Sequence, residues 1–288
     1  MPMKIIEVYN RIKKSPYLNL VLFALTFLST LIVGAMQAGV DPFGKPGDIY
    51  KGVPFAMTLM TILLSHEFAH YFASKRHGVK ATLPYFIPAP TILGTFGAFI
   101  KMQSPITTRS SLIDIGASGP IAGFILSVLA SAIGLGMSKV MLVPKTPGTF
   151  VFGESLLFSF LSNITLGPVA DGYDILFHPV ARAGWIGLLV TSMNLIPVGQ
   201  LDGGHIAYAL LGERHGRFSF ILVLLMAILG IFLWQGWLVW SLLLLVLGLR
   251  HPPVIYWEVP LDRKRAFIGW LSLVIFILTF NPVPIKVL

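Results

Sequence analysis

The sequence predicts an all-α polytopic membrane protein. It should have about seven transmembrane segments, an N-terminus facing the cytoplasm, and a small membrane-associated β element around residues 79–110. Three observations carry this expectation. Of the 288 residues, 55% are hydrophobic and only 11% charged, where a soluble domain holds about 25% charge. The mean hydropathy of +0.81 exceeds what one signal peptide would contribute. Lys and Arg gather in alternate connections between the apolar runs, as membrane topology signals do.

The apolar segments are 18–40, 53–76, 111–138, 180–198, 218–233, 237–249 and 266–282. Several approach the ~20 residues that span a bilayer core. The fifth and sixth meet at Trp234-Gln235-Gly236-Trp237, an aromatic turn suited to an interface, or else fuse into one long helix. With seven spans, 15 of the 21 Lys and Arg residues fall on the side of the N-terminus. Fusion would move Arg250, Arg263, Lys264 and Arg265 to the opposite side, so the hairpin is the better reading. The formal charge of +9 thus belongs to short loops beside apolar runs and implies a lipid bilayer as partner, with no nucleic acid. The whole chain, 1–288, reads as one integral membrane domain with its core at about 53–210 and no appended soluble domain.

Two stretches are not simple spans. Residues 79–110 are broken by Pro84, Pro88, Pro90, Gly94 and Gly97, and Thr95-Phe96-Gly97-Ala98-Phe99-Ile100 reads as a strand. Such backbone is tolerated at membrane depth only inside protein or along a wet cavity. Residues 139–179 read as a long outer loop with a short helix at 154–162. His178, Glu154, Asp171 and Asp174 belong to that loop.

The second segment ends in His66-Glu67-Phe68-Ala69-His70. H-E-x-x-H on a helix sets two imidazoles one turn apart with a carboxylate between them, an arrangement suited to a catalytic zinc. Ionisable groups in a span are costly, so a functional reading takes precedence. His66 lies 13 residues past Val53, about 20 Å into a core of about 30 Å. Glu67 borders the same face and suits proton transfer from water to a leaving amine.

Such a zinc ordinarily has three protein ligands and one open position. Ala73 and Arg76 rule out the metzincin extension of the motif. His77 lies about 10 Å further along the helix and cannot share the ion. Asn194-Leu195-Ile196-Pro197-Val198-Gly199-Gln200-Leu201-Asp202-Gly203-Gly204-His205 offers the third. Asn194 is 13 residues past Ala181, at the depth of His66. Pro197 and Gly199 should break the helix, and the unwound chain would keep Asp202 near the histidines. An ordinary Asp-Gly turn after a helix end explains the same letters, and both readings stand at this point.

Together these residues resemble the site-2 protease family of intramembrane zinc metalloproteases. The resemblance rests on the two motifs in this order, on Gly116-Ala117-Ser118-Gly119-Pro120-Ile121-Ala122-Gly123 between them, on Thr95–Phe99, and on His251-Pro252-Pro253-Val254. It implies that His66, His70 and Asp202 hold one Zn2+ ion, that Glu67 activates water, and that Asn194 steadies the oxyanion or positions the scissile carbonyl. It further implies an endopeptidase that cuts a peptide bond in or near the transmembrane segment of a membrane-protein substrate with a single span. The expected setting is the cell membrane.

The remaining residues take lesser roles. Gly116, Gly119 and Gly123 are spaced for close helix packing against the zinc-bearing helix. Residues 94–100 suit either strand pairing with a substrate or structural lining. His205 suits support of a ligand or capping of the chain break, and Asp114 an interfacial or packing role. Glu258-Val259-Pro260-Leu261-Asp262 matches by letter a later E-x-x-x-D ligand motif, against which Pro260 argues. A metal carrier would also use intramembrane histidines, but the chain lacks the repeated halves such transporters show.

Overall fold

A computed structural model describes residues 16–142, 150–170 and 172–287. The basic N-terminal residues behind the orientation expectation, and Asp171, lie outside the described residues. The chain is mostly helical and divides into two compact units, Met1–Ser104 and Pro105–Leu288.

The first unit holds α1 (Pro16–Gln37), a 3₁₀ turn (Pro46–Gly52), α2 (Val53–Arg76) and a hairpin of β1 (Tyr85–Pro88) and β2 (Thr95–Phe99). The strands pair antiparallel, with Tyr85 opposite Phe99 and a register shift between Phe86 and Pro88. Proline has no amide to give the ladder, which accounts for the irregularity there. Polar side chains of α1 hold the hairpin's backbone. Asn19 donates to the Leu83 and Pro84 carbonyls, Ser29 to that of Gly94 and Gln37 to that of Ile92. α2 starts at Val53 with Pro54 in its first turn, where a missing amide costs nothing.

The second unit is built around α3 (Arg109–Gly136), whose Thr108 cap accepts from the Ser111 amide. It continues through β3 (Lys139–Leu142), β4 (Phe150–Phe152), α4 (Leu156–Leu166), β5 (Tyr173–Leu176), α5 (Pro179–Asn194), α6 (Asp202–Leu211), α7 (His215–Phe232), α8 (Gly236–Leu247), α9 (Arg263–Thr279) and β6 (Ile285–Val287). A 3₁₀ turn, Gly212–Arg214, joins α6 to α7. α3 packs against α5, α6 and α9. Its contact with α5 is close enough that a Cβ on Gly134 would overlap Ala181. One buried cluster joins Leu112, Ile113, Leu195, Ile206 and Ile275, and a second joins Met193, Val198, Val223, Trp237 and Leu244.

Among the described residues, four helical stretches are long and apolar enough to cross a membrane: Pro16–Gln37, Pro46–Arg76, Arg109–Gly136 and Asp202–Phe232. α5 and α9 have 16 and 17 residues. α7 and α8 are separate helices meeting at a turn, as the hairpin reading expects.

The stretch 139–179 is more ordered than expected. β3 pairs with β5 and β4 with β6, both antiparallel. The side chains of β3 are all exposed, so no inside–outside alternation marks it in the sequence. The short helix falls at Leu156–Leu166, capped by Ser155.

Candidate metal centre

His66, Glu67 and His70 lie on α2 and are 4%, 5% and 5% exposed. The helical spacing of four brings the histidine Nε2 atoms within 3.1 Å of each other, their rings edge to face. Two zinc–imidazole bonds of about 2.0–2.1 Å at a tetrahedral angle put their nitrogens about 3.3 Å apart. The pair therefore fits a shared zinc-sized ion. Ion binding there uses the tautomer with Nε2 unprotonated in both rings; with one proton at Nε2 the same contact is an N–H···N hydrogen bond.

Asn194 and Asp202 belong to the second unit, on either side of a chain break. α5 stops at Asn194, and Pro197 has no amide to extend it. Gly199 takes φ +58°, open to glycine at no steric cost. The turn folds back so tightly that a Cβ on Gly203 would overlap the Leu195 carbonyl. Asp202 thus opens α6 beside the end of α5, and the helix breaks between Asn194 and Asp202 as Pro197 and Gly199 lead one to expect. Both Asn194 and Asp202 are partly buried. As the first residue of α6, Asp202 sits where helix amides favour negative charge.

His205 is one turn past Asp202, and its Nδ1 lies 2.6 Å from Nε2 of His251. Nδ1 of His251 donates to the Pro252 carbonyl at 2.6 Å. A neutral His251 must then accept at Nε2, so His205 donates from Nδ1 and keeps its Nε2 lone pair. Burial pushes the His251 imidazole below the ordinary histidine range, offset in part by its bond to Pro252. Tyr208 stacks on the His251 ring at 4.4 Å. Sequence reasoning did not find this chain of rings. Its signal was the His-Pro-Pro run 46 residues beyond His205, noticed only as a family likeness.

Other candidates have structural duties. Asp114 accepts from Arg265, Nη2 at 2.8 Å and Nε at 2.9 Å, tying α3 to α9. Asp262 caps α9 and pairs with Arg265, while Glu258 stays in the preceding loop, so the E-x-x-x-D reading has no ligand helix. His178 caps α5 by accepting from the Val180 amide. Gly116 abuts α6, where a Cβ would lie 3.0 Å from that of His205 and 3.1 Å from the Asp202 carbonyl.

The model of Peptidase family M50 matches residues 54–234, more than half of the chain, and spans both motifs. The chain belongs to this family. Among curated proteins it is similar to "Probable zinc metalloprotease EGY1, chloroplastic" of Arabidopsis thaliana, 39% identical over 170 residues, covering 56% of this chain and 30% of the relative. It is 32% identical to EGY2 of the same plant, over 67% of this chain and 35% of the relative. To EGY1 of Oryza sativa subsp. japonica it is 34% identical, over 68% and 38%. The chain thus spans about a third of the length of the curated relatives it matches. Their names place those relatives in chloroplasts, so they lend no support to the cell membrane as the setting.

Proposed function

We propose that this M50 member is a membrane-embedded zinc metalloendopeptidase that cuts a peptide bond in or near the transmembrane segment of a single-span membrane protein. The observation that carries the reading is the buried His66–His70 pair. Its Nε2 atoms face each other at 3.1 Å, with Glu67 beside them, on a stretch apolar enough to lie in a bilayer. The relatives, named as probable zinc metalloproteases, support it. The fold is read as seven spans with a cytoplasmic N-terminus and the metal about a third of the way up from the cytoplasmic face. The cell-membrane location rests on the sequence alone.

His66, His70 and Asp202 are assigned as the zinc ligands, two neutral nitrogens and a carboxylate oxygen, which leave one position open. Bound there, zinc supplies Lewis acidity towards the scissile carbonyl and makes water a nucleophile near neutral pH. Glu67 takes the proton of the attacking water and delivers it to the departing amine. Asn194 donates its side-chain amide to the carbonyl oxygen as charge builds there. A substrate helix shields its backbone by internal hydrogen bonds, so the substrate must unwind locally before it is cut.

The test uses purified protein, a panel of single-span substrates and zinc analysis. Glu67→Gln is expected to retain zinc and lose cleavage, and His70→Ala and Asp202→Ala to lose both. Full activity in Glu67→Gln would refute the assignment.

A further inference from the structure

A second feature of the second unit has no part in the proposed chemistry. Where α7 begins, a cavity of about 810 Å³ opens between it and the chain at 249–253. His215 lines it and is only 1% exposed. Its Nε2 pairs with Ser219 Oγ at 3.2 Å, while its buried Nδ1 makes no hydrogen bond. The Pro197 carbonyl also faces this ring.

Two more cavity residues, Arg217 and Arg250, form no ion pair with any described residue. Two guanidiniums at one cavity suit a phosphate group, which they bind as planar forks. The opposite edge is apolar. Phe220 and Ile221 are 51% and 55% exposed, and the exposed stripe continues along α7 through Leu224, Leu225 and Ile228. Cationic groups at one end and an apolar lane at the other match an amphiphile. The lane belongs to Asp202–Phe232, a stretch able to cross a bilayer.

We infer that this cavity binds an anionic phospholipid, its phosphate between Arg217 and Arg250 and an acyl chain along Phe220–Ile228. The inference rests on the membrane reading above, which puts this end of α7 on the cytoplasmic side. Basic pockets between helices bind lipid head groups there. Glu213 at the same cavity repels a second negative charge and accepts from a head-group hydroxyl, which favours phosphatidylglycerol as the probe.

Protein purified in detergent is titrated with phosphatidylglycerol, with phosphatidylcholine of equal chain length, and with inorganic phosphate. Bound lipid is counted by native mass spectrometry. Phosphatidylglycerol is expected to bind about tenfold or more tightly than phosphatidylcholine, and Arg217→Gln with Arg250→Gln to remove that preference. Zinc content should stay unchanged. If the double variant misfolds, Arg217→Gln alone gives the same comparison. Equal binding of the two lipids, an undiminished preference in the variants, or displacement of phosphatidylglycerol by millimolar phosphate would overturn the inference. A wild-type protein that prefers phosphatidylglycerol but holds no zinc would count against the protease reading and leave the lipid site standing.

Discussion

Replacing Gly184 by alanine tests the packing that carries Asn194. Gly184 lies on the face of α5 that meets α3. A Cβ there would sit 2.6 Å from the Ser131 amide nitrogen and Oγ, and 3.0 Å from the Ala130 carbonyl carbon. Ordinary contact begins at 3.4 Å. The two helices would therefore have to part by about 0.8 Å in a region packed as densely as a crystal. The hydroxyl can rotate away, but the amide nitrogen is backbone. Overpacking of this kind costs about 1–3 kcal/mol, against about 0.5–1 kcal/mol regained when alanine replaces glycine within a helix. The difference spans about 0–2.5 kcal/mol and centres on a net loss of about 1 kcal/mol. Gly136, at the end of α3, is the control, since its Cβ would meet only Thr165 Cγ2 at 3.9 Å. Gly136→Ala should stay within about 0.5 kcal/mol of the parent. Both are read by denaturant unfolding in mixed micelles, followed by tryptophan fluorescence. A Gly184→Ala protein as stable as Gly136→Ala would refute the close-approach argument.

Asp114→Asn removes the charge that Arg265 holds through Nε and Nη2. The pair is partly exposed, so a loss of about 1–2 kcal/mol is expected, and in a double-mutant cycle Arg265→Gln should cost less after Asp114→Asn than alone, keeping only its loss of the Asp262 contact. Strict additivity would show that the two side chains act separately. The Arg265 backbone amide, then its guanidinium, hold the Asp262 carboxyl below the ordinary carboxylate range. A depressed folded-state value means that the cap stabilises α9 above the unfolded carboxylate value, and that this support fades as pH falls through the folded one. Asp262→Ser keeps a cap without a titrating group, so its stability should fall less than the parent's between pH 6 and pH 3. Parallel pH curves would contradict that.

Local features of this fold were legible in the sequence. The helix expected over 53–76 forms over Val53–Arg76, and H-E-x-x-H converges because helical geometry alone brings positions i and i+4 together. The break after Asn194 was legible through Pro197 and Gly199, whose backbone preferences act without help from distant residues. What sequence reasoning missed depends on distant partners. β4 finds β6 more than 130 residues away, Phe150 opposite Val287. His205 meets His251 across 46 residues, and Arg265 reaches Asp114 across 151. None of these pairs has a spacing that periodicity can reveal, and strands of three residues are too short to show an alternating pattern.

α3 touches both sides of the turn at 195–201, α5 through Gly134 and Gly184 and α6 through Gly116. An amide on one helix and a carboxylate on another thus take their spacing from a third helix that carries neither. Side-chain size along α3 works as a screw thread for that gap. Enlarging Gly116 would press on the Asp202 end of α6, and enlarging Gly134 on the start of α5 at Ala181, 13 residues before Asn194. The reach between the two groups can be reset from positions that never meet a substrate.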